Sequence, residues 1–127
     1  MKYLKLIVDQ PIHNGHATYL FFGRFGVDVP KLEEALKQIK PFTLTYVGDD
    51  AYGHPRPVPV RVYQASTELA QEVRAGLLDN VLGSDISALN RKLWSPHISL
   101  PKVTGPIPDV LNVIGVESND GSFRVMF

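Results

Sequence analysis

The chain has 127 residues, 44% of them hydrophobic and 20% charged, enough for one folded domain that buries roughly two-thirds of the surface its unfolded form exposes. Thirteen Lys and Arg balance thirteen Asp and Glu, which argues against non-specific binding to duplex DNA, where many phosphates must be neutralised at once. Cysteine is absent, excluding disulfides, thiolate metal sites and a cysteine nucleophile.

The N-terminal stretch MKYLKLIVDQ is interrupted by Asp9 and Pro11 before it reaches the length of a signal-peptide core. No run approaches the ~20 apolar residues of a membrane span. The expectation is a soluble, cytoplasmic, monomeric protein with no membrane partner.

In chain order, residues 3–9 are rich in strand formers, and 11–15 (PIHNG) carry turn residues. Residues 16–25 (HATYLFFGRF) predict a second strand. From Pro30 to Lys40, Leu32, Ala35, Leu36 and Ile39 recur at i, i+3, i+4 and i+7, predicting a helix that Pro41 ends. Residues 42–47 alternate as a half-buried strand, and 49–57 (DDAYGHPRP) read as a turn-rich loop. Residues 58–64 alternate again, with Pro59 marking an edge or a strand start. Ser66 or Thr67 can cap a longer helix in which Leu69, Val73, Leu77 and Val81 recur every four residues. A strand entered through Pro96 follows, and the tail offers VLNVIGVES and SFRVMF joined by the hairpin signal Asn119-Asp120-Gly121. The order predicts an α+β fold, both helices on one side of a largely antiparallel sheet.

Two of the four histidines stand in matching contexts, His16-Ala17-Thr18-Tyr19 and His97-Ile98-Ser99-Leu100. On a strand, positions i and i+2 share a face, so each segment presents one imidazole and one hydroxyl together. Phosphodiester cleavage needs such groups: a base for the attacking oxygen, an acid for the leaving oxygen, and donors for the non-bridging oxygens. One such tripeptide alone is a weak signal. Two inside apolar strands of one short chain carry more, because polar groups there need partners or a shared wet cleft.

The segments HATYLFFG and PHISLPKV resemble the two motifs of the two-histidine phosphoesterases, the LigT-like group that includes 2′-5′ RNA ligase-like proteins. Tyr19 stands where that group has leucine, and Lys102 where arginine is common. The resemblance implies a bilobal fold: two pseudo-symmetric antiparallel-sheet lobes, two helices packed outside and a central cleft. His16 and His97 would be the catalytic pair, and Thr18 and Ser99 the phosphate-binding hydroxyls. Members of that group act without a metal or cofactor on RNA ends with 2′,3′-cyclic phosphates, on 2′-5′ linkages and, in phage anti-CBASS proteins, on cyclic oligonucleotide signals. The expected function is therefore a metal-independent phosphodiesterase for a small nucleotide or RNA terminus. The alternatives are an anti-CBASS hydrolase and a nucleotide-binding module that does not cleave.

Further candidates for substrate contact are Arg24, which shares strand parity with His16; Lys102; Trp94, beside the second motif; and Tyr46, which with Tyr52 and Tyr63 could stack a base. His13 and His16 are three apart, but the turn residues around them do not make a metal site. His54 reads as a solvated loop residue.

Overall fold

The computed structural model describes residues 1–22, 27–53, 55–79 and 94–127. Seven strands and two helices follow in the order β1 (Tyr3–Val8), β2 (Thr18–Phe21), α1 (Val29–Leu36), β3 (Phe42–Tyr52), β4 (Val58–Ala65), α2 (Leu69–Leu77), β5 (His97–Ser99), β6 (Val110–Ser118) and β7 (Arg124–Met126). The α+β expectation holds. The bilobal one is corrected: every strand belongs to one antiparallel sheet of order β2-β1-β6-β3-β4-β5, with β7 added to β6. An isolated antiparallel bridge, Ala17 to Ile98, then joins the two ends of that path. The pairing of β6 with both β1 and β3 is what merges the expected lobes.

Alternation, shifted at β-bulges, builds the core face. Leu4 and Leu6 of β1, Leu44 of β3, Tyr63 of β4, Ile98 of β5 and Leu111, Val113 and Val116 of β6 are buried together with Leu32 and Leu36 of α1 and Ala70 and Leu77 of α2. Removing a side chain such as Leu4 or Leu44 from this layer costs about 2–5 kcal/mol. Among the described residues, no helix is long and apolar enough to cross a membrane.

Four boundaries differ from expectation. The helix predicted over 30–40 is α1, eight residues long. It starts where the Asp28 carboxylate accepts the Lys31 N–H at 3.2 Å. After Leu36 the chain tightens, with Gln38 and Ile39 N–H donating three residues back to Ala35 and Leu36.

Strand β3 runs through the predicted loop as far as Tyr52, because Asp49, Asp50, Ala51 and Tyr52 pair with Arg61, Val60, Pro59 and Val58. Ladder pairing overrides the turn propensity of Asp-Asp. Strand β5 is only three residues long, and β2 begins at Thr18, so His16 precedes the strand proper.

The buried residues of α2 are Ala70, Arg74 and Leu77, while Leu69 and Val73 are half-buried; Val81 lies outside the described residues. Polar contacts turn the helix to this face. The Arg74 Nε donates to the Tyr19 carbonyl at 2.7 Å, and the Tyr19 hydroxyl donates to the Ala70 carbonyl at 2.6 Å. Burial pushes the Tyr19 phenol well above its usual range, so it stays protonated and donating. The N-cap of α2 is Glu68, not Ser66 or Thr67, and it makes no side-chain capping bond; the Thr67 hydroxyl accepts the Leu69 N–H at 3.2 Å just before the helix, while the Ser66 hydroxyl accepts from the Thr43 N–H.

Candidate phosphate-binding site at the sheet seam

The seam positions the site. Ala17 and Ile98 are 3% and 0% exposed, so both point into the core. Their neighbours on either side therefore point the other way. In antiparallel pairing about Ala17–Ile98, His16 lies opposite Ser99 and Thr18 opposite His97. Directly opposed residues have Cβ atoms about 4.5–5.5 Å apart, and the diagonal His16–His97 pair stands at about 7–8 Å between backbones. That spacing lets two rings flank one phosphorus centre.

All four side chains, His16, Thr18, His97 and Ser99, line one pocket of about 400 Å³, within the ~300–1,000 Å³ range of small-ligand sites. Lys102 and Asn14 complete its polar wall, and Val58 and Pro101 supply apolar surface. Among the described residues the lining holds no carboxylate, so its charge favours an anion. Among the described residues, no three His, Asp or Glu gather as metal ligands. Nor do the Thr18 and Ser99 hydroxyls meet a hydrogen-bond partner there, which leaves both available to a ligand.

The two imidazoles are held differently. His97 Nδ1 lies 2.8 Å from the Ser95 carbonyl oxygen. A carbonyl only accepts, so Nδ1 carries the proton and Nε2 is left for chemistry. His16 instead lies flat on the Tyr3 ring, with centroids 5.1 Å apart and planes 13° from parallel. Burial of the ring, then the charges of Lys5 and His97, lower its pKa below the ordinary histidine value. His16 is thereby biased toward the neutral form.

The remaining candidates divide. Lys102 lies in the pocket wall, and among the described residues it forms no ion pair. Trp94 does not line the pocket. Its ring meets Tyr19 and Phe42 edge-on, and its Nε1 donates to the Thr18 carbonyl at 3.1 Å, pinning the backbone of the first motif.

Tyr46 does not line the pocket: it pairs with Tyr63 and lies 3.8 Å beneath the Arg61 guanidinium, on the face opposite Val62 and His97. Alternation along β4 enforces that separation. Tyr63 is buried in the core, and Tyr52 packs on His97. Arg24 and His54 lie outside the described residues. His13 is exposed, its carbonyl accepting from the Thr104 N–H at 3.2 Å.

Sequence reasoning missed Tyr3 and Lys5. Both alternate with buried Leu4 and Leu6 on β1, but residues 3–9 alternate too loosely in the sequence to settle that face, and the register that sets Lys5 against Thr18 is a non-local property. Asn14 was missed as well. It adopts φ 58° and donates through Nδ2 to the Thr104 hydroxyl at 3.1 Å, tying the turn before His16 to the loop after Ser99. No model of a protein family matches this chain, and no curated protein or solved structure matches it.

Proposed function

We propose that the protein is a metal-independent phosphodiesterase acting on a small nucleotide or an RNA terminus by histidine general acid-base catalysis. The observation that carries this reading is the convergence of His16, Thr18, His97 and Ser99 on one carboxylate-free pocket. The likeness of HATYLFFG and PHISLPKV to the two motifs of the two-histidine phosphoesterases supports the same reading, and the isolated bridge Ala17–Ile98 sets those two segments side by side.

His16 is the base. Biased toward the neutral form by partial desolvation, then by the charges of Lys5 and His97, it takes the proton from a water or ribose hydroxyl as that oxygen attacks phosphorus. His97 is the acid. In its cationic form it holds Nδ1–H on the Ser95 carbonyl and gives the Nε2 proton to the departing oxygen as the phosphorus–oxygen bond breaks. Thr18 and Ser99 donate to the non-bridging oxygens, and Lys102 offsets their charge. Solvent then carries a proton from His16 back to His97, which resets both rings.

The test is a panel of 2′,3′-cyclic mononucleotides, 2′-5′ oligoadenylate and cyclic di- and trinucleotides. His16→Ala and His97→Ala should each abolish turnover without lowering Tm. Full activity in either variant overturns the assignment. A ligand that binds and is recovered unchanged after denaturation would identify the non-cleaving module instead.

A further inference from the structure

The geometry points to Tyr52 as a positioning residue that, through Ser95, fixes which nitrogen of His97 faces the pocket. The inference rests on the proposed catalytic role of His97. Tyr52 is the last residue of β3, paired with Val58 on the same sheet face as Val62 and His97. It reaches His97 by two routes. Its ring stands edge-on to the imidazole, with centroids 4.8 Å apart and planes at 87°. Its hydroxyl shares a 3.1 Å hydrogen bond with the Ser95 Oγ, and the carbonyl of that same Ser95 accepts from His97 Nδ1 at 2.8 Å.

Other contacts already hold the residues on either side of Ser95. Trp94 is tied through its N–H to Gln71 and through its indole to Thr18, while the Pro96 carbonyl accepts the Tyr63 N–H at 2.8 Å. Pro96 also confines Ser95 to extended backbone conformations. Within that frame, the Tyr52 hydroxyl is the contact that fixes residue 95 from the sheet side. It sets the direction of the carbonyl, and the carbonyl sets the tautomer of His97. With Nδ1–H engaged there, Nε2 is the nitrogen left to face the phosphate. The ring edge of Tyr52 blocks rotation of the imidazole about χ2, which would otherwise exchange the two nitrogens.

The test uses Tyr52→Phe, Ser95→Ala and the double variant, with kcat and KM measured separately and the His97 tautomer read from imidazole ¹⁵N shifts. Tyr52→Phe keeps the ring edge and loses the hydroxyl. Loss of one hydrogen bond corresponds to a fall in kcat of about 3- to 10-fold, with KM unchanged because Thr18, Ser99 and Lys102 are untouched. Ser95→Ala should give the same fall, and the double variant no more than either single one, since both break the same link. The wild-type spectrum should show the Nδ1–H form alone, and both single variants should gain an Nε2–H population.

An unchanged tautomer in Tyr52→Phe, or losses that multiply in the double variant, overturns the inference. The spectrum decides even if no substrate in the panel is cleaved, so failure of the catalytic reading and failure of this one are distinguishable.

Discussion

Replacing Gly15 with alanine tests the seam directly. A Cβ at this position would lie 2.8 Å from the Ile12 Cγ2, 2.8 Å from the Val103 Cγ2 and 3.4 Å from the Ile98 Cγ2. The first two contacts are closer than packed methyls tolerate, and both belong to β-branched side chains with restricted χ1. Overpacking of this kind costs about 1–3 kcal/mol, while the reduced freedom of the unfolded chain returns about 0.4–1 kcal/mol. A net loss of about 1–2 kcal/mol corresponds to a fall in Tm of about 3–10 °C for a chain of this size.

Ile12 and Val103 flank the two motifs, so relief of the clash moves His16, the next residue, and a displacement of about 1 Å is enough for a ~100-fold loss of turnover. Gly76→Ala is the control. Its added Cβ meets nothing within 4 Å, and inside α2 it should raise stability by about 0.5–1 kcal/mol. Thermal unfolding and initial rates on the two variants check the reasoning. Equal Tm values for Gly15→Ala and wild type would refute the tight seam.

The pH dependence follows from His16. Its folded pKa lies below the ordinary 6.5, so between that lowered value and 6.5 the unfolded chain binds more protons and stability rises with pH; His16→Gln should flatten this slope in urea titrations. Lys5→Met removes one of the charges that depress His16, so the acid limb of kcat/KM should move to higher pH. With an activated leaving group such as p-nitrophenolate, which departs without a proton, His97→Ala should recover most of its lost rate while His16→Ala stays inactive; recovery in His16→Ala instead would reverse the roles. Tyr19→Phe strips a buried donor from the Ala70 carbonyl and should lower stability by about 1 kcal/mol in chemical denaturation, an unchanged midpoint counting against the anchor between β2 and α2.

The candidate site was legible because its signal is local: two tripeptides with period-two spacing need only be strands to put His16 beside Thr18 and His97 beside Ser99. The core face of β1 is not legible in the same way, because residues 3–9 alternate too loosely in the sequence to settle it. What stayed hidden was non-local. The continuation of β3 to Tyr52 depends on pairing with β4, and Tyr46 was assigned to the site because its own strand pattern does not reveal which sheet face carries His97.

The buried face of α2 was misread for a related reason. Apolar spacing favoured Leu69 and Val73, whereas hydrogen bonds to Tyr19 bring Arg74 inward. Those bonds also give a physical role to Tyr19 at the position where the resembling motif has leucine.

The Ala17–Ile98 contact joins segments separated by most of the polypeptide. Bringing such remote partners together carries a loop-closure entropy that nearby pairings, such as the β3–β4 hairpin, largely avoid. The hairpins can therefore assemble while the two imidazoles are still far apart. The proposed site forms only with that long-range closure, and because β6, which joins β1 to β3, follows β5 in the chain, a nascent polypeptide that stops before residue 97 has neither the paired imidazoles nor the centre of the sheet.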